Sequence, residues 1–309
     1  MIHSLLRGGG FLLSNNRFMN IKNYLKRAAH FLLFGIPEIH TTAHIVSLAP
    51  NELLKERMAL ITGGTSGIGY SIAKAFLYSG AYVCITSRNE ERLKATCMKL
   101  KTIQPFFEDR IYGIVMDNKR IADFPKKIDD ILLMSGRKSI DILVNNAGVL
   151  GGDISTTTED IYDEILDTNL KGVFFLSQTM GRYMRDNHIK GNILNIASSS
   201  SLRPAASAYT LTKWGIRGLT LGLAKVLAPY VITVNGIAPG PTATPMLGKD
   251  EEGDITFHTN PLGRYVLPEE IANMAVFLVS DMGRSIVGDI VYMTGGSGLV
   301  TFDDVTYRF

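Results

Sequence analysis

The sequence predicts an α/β domain built on a doubly wound parallel sheet, preceded by a helical N-terminal extension. Three observations lead there. From Arg57 onward, short apolar runs alternate with stretches of helical spacing, the pattern of βαβ units joined by right-handed crossovers. The apolar runs are continuous, as strands covered on both faces require. A glycine-rich turn, Thr62-Gly63-Gly64-Thr65-Ser66-Gly67-Ile68-Gly69, separates the first run from the first helical stretch.

Residues 58–61 read as the first strand. Residues 66–79 read as a helix, with Ile68, Ile72, Ala75, Phe76 and Leu77 on its apolar side. Residues 81–86 form the next strand. Residues 90–100 form a helix with acid at its start and Lys99 and Lys101 near its end, as the helix dipole prefers. Strands follow at 111–116 and 140–144, then one long helical stretch over 158–187. Strands at 191–197, 231–237 and 287–293 alternate with helices at 208–227 and 268–280. No internal repeat is visible and no linker follows Arg57. Residues 57–309 therefore read as one domain and residues 1–56 as the extension.

Composition narrows the classes. Hydrophobic residues at 46% and charged residues at 20% suit a chain with a full core, not a disordered one. The 30 glycines have no three-residue period, which excludes a collagen-like chain. Cys84 and Cys97 are too few for a disulfide framework and read as structural thiols. A net charge of +3 is too small to point to nucleic acid. His40 and His44 have no cysteine or carboxylate at metal-ligand spacing, so no metal site is expected. Neither a P-loop nor a G-x-S-x-G turn occurs. No apolar stretch approaches the roughly 18 residues of a membrane span, and residues 31–34 are too short for a secretory core. A cytoplasmic protein is the expectation.

The extension is basic. Arg7, Arg17, Lys22, Lys26 and Arg27 oppose Glu38, giving +4 over residues 1–50 and leaving −1 for the rest. Within 18–34, Phe18, Ile21, Leu25, Ala28, Ala29 and Leu32 recur at helical spacing, with Lys22, Lys26, Arg27 and His30 largely between them. Three readings of this amphipathic helix compete: packing on the domain or a second subunit, peripheral contact with an anionic membrane, or an organellar presequence.

The glycine loop carries the first functional signal. Its glycines allow a tight turn and close approach of a pyrophosphate, and the following helix offers free N–H groups to that anion. Further along stand Asn145-Asn146-Ala147-Gly148, Tyr209 followed four residues later by Lys213, and Pro239-Gly240. With a loop of the form T-G-x-x-x-G-x-G, this ordered set resembles the short-chain dehydrogenase/reductase family over about residues 57–297. The match is to its non-extended branch, and to members like the 3-oxoacyl-carrier-protein reductases. The three-residue gap between Tyr209 and Lys213 argues against the enoyl-reductase branch. Chain length and glycine spacing argue against the extended, epimerase-like branch.

The resemblance implies a Rossmann-like domain that moves a hydride between NADP(H) and a carbonyl or secondary alcohol. It places Gly63, Thr65, Ser66, Gly67, Ile68 and Gly69 around the cofactor phosphates. Asp117 and Asn118 fall at the adenine, and Asn146, Ala147 and Gly148 along the adenosine. Pro239, Gly240, Thr242 and Thr244 fall at the nicotinamide carboxamide. Ser87 stands where an NAD-preferring chain carries a carboxylate, and Arg88 follows it with a fork suited to a 2′-phosphate. NADP is favoured, with NAD possible.

Tyr209 and Lys213 share one helix face. A free phenol ionises near pH 10, and a neighbouring ammonium is expected to lower that value. Tyr209 is the expected general acid/base, with Lys213 tuning it and reaching the nicotinamide ribose. Ser198 is the expected holder of the substrate oxygen, with Ser199 and Ser200 as alternatives. The eleven-residue step from Ser198 to Tyr209 is about two residues shorter than the family usually shows. Asn169 matches the family's helix asparagine, which supports a proton relay. Residues 246–260 read as a mobile substrate lid. Thr294-Gly295-Gly296 departs from the family's D-G-G at its first position. Dimers or tetramers are implied through helices 208–227 and 268–280. A nucleotide-sensing scaffold without catalysis is the competing reading.

Overall fold

The computed structural model describes residues 50–249 and 253–301, together with Leu25, Lys26, Ala29, Leu32 and Leu33. The chain divides into two units, Met1–His40 and Thr41–Phe309. The five described residues of the first unit are helical and exposed. The rest of the expected arm helix, with His40 and His44, lies outside the described residues.

In the second unit seven strands form one parallel sheet in the order β3-β2-β1-β4-β5-β6-β7. The strands are β1 (Met58–Ile61), β2 (Tyr82–Ser87), β3 (Ile111–Val115), β4 (Ile142–Asn145), β5 (Asn192–Ile196), β6 (Thr233–Pro239) and β7 (Ile290–Met293). The helices are α1 (Gly67–Tyr78), α2 (Glu90–Lys101), α3 (Phe124–Ser135), α4 (Glu159–Leu166), α5 (Gly172–Asp186), α6 (Ala208–Leu227) and α7 (Pro268–Val279). Every residue of β1, β4, β5 and β6 is buried, so that β1 reads as an unbroken apolar run while Asn145, Asn192, Asn195, Thr233 and Asn235 enter the others as buried polar groups. Two cores result, one per sheet face. Ile72, Phe76 and Ile271 anchor the first, and Ile128, Ile131 and Leu176 the second.

Three features differ from the sequence expectation. Leu54, assigned to the extension, is fully buried in the first core. Helix α3 was not expected. Apart from Phe124 and Ile128 its apolar residues stand together as Ile131-Leu132-Leu133-Met134, and Pro125 at its start looks like a breaker although that position tolerates proline. The stretch over 158–187 is not one helix, because a π turn at Asp167–Lys171 interrupts it.

A polar relay crosses the second face. The Asn145 side-chain amide donates to Ser177 Oγ at 2.9 Å and to Asn195 Oδ1 at 2.8 Å. Asn195 donates in turn to Thr220 Oγ1 at 2.9 Å, and Thr220 to the Ile216 carbonyl at 2.8 Å. Helices α5 and α6 are thereby tied through the middle strands. All four relay side chains are buried, so removing one strands its neighbours without water. Asn195→Ala is expected to cost about 2–3 kcal/mol of unfolding free energy, read from urea denaturation.

Candidate active site

The chain winds one way from β1 through β2 to β3, and the other way from β4 through β7. A cleft of about 710 Å³ opens at the carboxyl ends of the strands around this reversal, where open α/β sheets hold ligands. Its inner wall is a clasp between β1 and β4. Thr62 Oγ1 accepts from the backbone N–H groups of Asn146 and Ala147, each at 3.0 Å. The Asn146 amide donates back to the carbonyls of Thr62 and Gly63 at 2.9 and 3.0 Å.

The glycines of the loop serve this clasp and the turn. Gly63 and Gly67 have φ of 65° and 51°, conformations that favour glycine. A Cβ on Gly63 would lie 2.9 Å from Ala147 Cα, and one on Gly69 would collide with the Asn146 amide and the Gly63 carbonyl. Gly69 therefore backs the loop and does not line the cleft, whereas Gly63, Thr65, Ser66, Gly67 and Ile68 do.

The residues present fit a dinucleotide. Ser66 caps α1 with no side-chain hydrogen bond, and the first turn holds no acidic residue. Its orphan N–H groups and positive dipole end are open to an anion. Asn118 Nδ2 and Thr168 Oγ1 are buried without a hydrogen-bond partner, and both residues line the cleft. Ser87, Arg88, Asp117, Asn146, Ala147 and Gly148 line it too. Asp117 also caps its own turn, accepting from Lys119 N at 3.0 Å. Arg88 is half-exposed and donates to Glu164 Oε1 at 2.8 Å, and Lys119 donates to Glu164 Oε2. Lys119 and Arg92 supply basic side chains that the motif did not reveal. Lys119 follows Asp117-Asn118 directly, and Arg92 lies one helical turn beyond Arg88.

At the other end stand Ser198, Tyr209 and Lys213, with Pro239, Gly240, Thr242 and Thr244 beside them. Ser198 is held by the 3-10 turn it caps, where its Oγ accepts from Ser200 N at 3.1 Å. Ser199 and Ser200 line the cleft as well, but of the three it is Ser198 whose hydroxyl bears on the Tyr209 phenol. Lys213 Nζ lies 5.4 Å from the Tyr209 ring centre and donates to the Ile196 carbonyl at 2.9 Å.

The electrostatics reverse the simple expectation. Burial holds the Tyr209 phenol above its ordinary value, with the Ser198 hydrogen bond opposing. The same burial pushes the Lys213 ammonium down to about 8. Desolvation disfavours the charged form of each group and is the largest cause of both shifts.

Asn169 sits in the π turn behind the cleft and does not line it. Its Oδ1 accepts from Val149 N and its Nδ2 donates to Val149 O, both at 2.8 Å. The side chain thus holds the segment after β4 as a neighbouring strand would. Gly240 serves packing, since a Cβ there would lie 2.7 Å from Thr294 Cα. The expected lid is anchored over much of its length. Ile255 is buried against Ala243 and Leu267, Phe257 stacks on Tyr265 at 4.6 Å, and Asn260 donates to the Thr294 carbonyl at 2.9 Å. Among the described residues of this loop, Met246 and Leu247 reach the cleft. Among the described residues no cluster of metal-ligating side chains occurs, and no helix is long and apolar enough to cross a membrane.

A family model described as enoyl-(acyl carrier protein) reductase matches residues 63–298. The chain is 34% identical over 250 residues to a 3α-hydroxysteroid dehydrogenase of Mediterraneibacter gnavus, covering 79% of this chain and 98% of the relative. A variant actinorhodin polyketide ketoreductase, solved with NADPH, is 29% identical with a TM-score of 0.71, covering 79% of this chain and 98% of that one. A 3-ketoacyl-(acyl-carrier-protein) reductase from Brucella melitensis, solved with NADH, is 28% identical with a TM-score of 0.71, covering 80% of this chain and all (100%) of that one.

The buried lysine makes a stability prediction. At pH below about 8 folded and unfolded chains both carry the proton, and the fold bears the full desolvation cost. Between about 8 and 10.5 the unfolded chain alone retains it, so this contribution to stability rises with pH. Lys213→Met is expected to be about 2 kcal/mol more stable than the parent at pH 7, after the lost hydrogen bond to Ile196 is deducted. That advantage should disappear by about pH 10.5 in denaturation curves run across the range.

Proposed function

The chain belongs to the short-chain dehydrogenase/reductase family of NAD(P)-dependent oxidoreductases, and from that premise we propose that it reduces a ketone to a secondary alcohol with NADPH. The observation that carries this reading is the meeting of Ser198, Tyr209 and Lys213 in one cleft, with Lys213 against the Tyr209 ring. When bound, the nicotinamide supplies the hydride that goes to the carbonyl carbon.

Tyr209 gives its phenolic proton to the carbonyl oxygen as that hydride arrives. Its raised value keeps it protonated at rest, the form that reduction needs. Ser198 donates to the same oxygen and fixes its position. Lys213 keeps donors beyond the one given to Ile196 for the nicotinamide ribose, and when charged it stabilises the phenolate left behind. Asn169 positions the segment after β4 and, through it, the rim of the cleft. The half-exposed apolar side chains of Leu150, Met246 and Leu247 line the mouth. They suit a ketone on an apolar body, as an acyl, polyketide or steroid substrate provides.

Arg88 receives the 2′-phosphate, which gives the preference for NADPH over NADH. The enzyme assembles through α6, where Leu211, Trp214, Leu221 and Val226 are exposed, while α7 shows no fully exposed side chain.

Tyr209→Phe removes the proton donor and keeps the ring. It is expected to lower ketone turnover by about 10²- to 10⁴-fold while NADPH affinity, read by cofactor fluorescence, changes less than about twofold. Parent-level turnover in this variant would overturn the mechanism. Tight cofactor binding by the parent with no turnover on any ketone would favour the scaffold reading.

A further inference from the structure

We propose that Glu164 is a specificity-determining residue: its carboxylate engages the cations that a ribose 2′-phosphate needs, and so competes with that phosphate. The inference rests on the reading of Arg88 given above. Glu164 projects from α4 and uses both oxygens. Oε1 accepts from Arg88 Nη1 at 2.8 Å, and Oε2 accepts from the Lys119 ammonium. These two cations come from separate strand ends, after β2 and after β3. Through Glu164 the Lys119 ammonium is held beside Arg88, which with Arg92 and Asp117 lines this end of the cleft.

The charges decide the sign. Arg88 and Lys119 against Glu164 leave one net positive charge, and Asp117 lies within electrostatic range of Lys119. A 2′-phosphate brings between one and two negative charges. It must displace Glu164 from Arg88 or accept the repulsion of a carboxylate at close range. Both side chains of the Arg88–Glu164 pair are at least a third exposed, with 53% and 36% of their surface open. The carboxylate therefore gains little by holding the cations in place, and repulsion outweighs preorganisation. NADH carries no phosphate there and has no such conflict.

This gives Glu164 a role distinct from that of Arg88. Arg88 creates the preference for a 2′-phosphate, and Glu164 limits it. Neutralising Glu164 should strengthen NADPH binding, whereas neutralising Arg88 should weaken it. No catalytic step is touched, because Glu164 lies at the adenosine end.

The test is calorimetric titration of the full-length parent, Glu164→Gln, Lys119→Met and Arg88→Ala proteins. The titrants are NADPH, NADH, adenosine 2′,5′-bisphosphate and adenosine 5′-monophosphate. Glu164→Gln is expected to bind NADPH and the bisphosphate about three- to tenfold more tightly, with NADH and the monophosphate changed less than about twofold. Lys119→Met should weaken the two 2′-phosphorylated ligands selectively. Thermal denaturation of each variant confirms that the fold is intact. If Arg88→Ala removes the preference for 2′-phosphorylated ligands but Glu164→Gln leaves it unchanged or lowers it, the role of Glu164 fails alone. If Arg88→Ala leaves the preference unaltered, the NADPH reading fails and this inference falls with it.

Discussion

The clasp at Thr62 and Asn146 is the interaction on which the cleft depends. A parallel sheet whose winding reverses between β1 and β4 has a gap at their carboxyl ends. The loops leaving those strands diverge to opposite faces, so something must hold their first residues together. One threonine hydroxyl accepting from two backbone N–H groups, and one asparagine amide returning to two carbonyls, does this. The glycines follow from the clasp. Gly63 and Gly69 lie against Ala147 and Asn146 so closely that no side chain fits. With these loops pinned, the N-terminus of α1 is left facing the cleft with its donors free.

Desolvation then sets the chemistry at the other end. Lys213 is buried and Tyr209 half-buried at the cleft wall, and desolvation disfavours the charged form of each. The resting pair is therefore a protonated phenol beside an amine whose charge is easily lost. A site of this kind stores a proton where a developing alkoxide would take it, and it bears a stability cost for doing so. The two ends of the cleft differ in this respect. At the adenosine end Arg88, Lys119 and Glu164 remain in partial contact with water, and pairing, not burial, governs their charge.

The polar relay from Ser177 through Asn145 and Asn195 to Thr220 ties two helices to the strands beneath them. It fixes α5 and α6 against the middle strands, and α6 carries Tyr209 and Lys213. Asn169 performs a similar task from the π turn, supplying both an acceptor and a donor to Val149. Buried polar groups in this fold are thus spent mostly on aligning elements around the cleft, and fewer of them point into it.

The alternation of elements, the sheet and about half of the cleft lining were legible in the chain itself. Strands buried on both faces leave unbroken apolar runs, and a loop that grips an anion needs glycines at set places. Helix α3 was not legible, because an early proline and four adjacent apolar residues near its end obscure the helical period. The π turn was hidden for a related reason: it adds one residue to a turn without changing the composition around it. Gly69 and Asn169 were identified as site residues, yet both act from behind the cleft wall, since a motif records which residues recur and not which way they face. The ordered motifs, read through the family resemblance, implied that a serine hydroxyl, a phenol and an ammonium would share one cleft. Only the tertiary structure decided the sign of the phenol's shift and the partner of Arg88, because both depend on burial and on Glu164, which is 76 positions away in the chain. Desolvation and ion pairing are properties of neighbours in space.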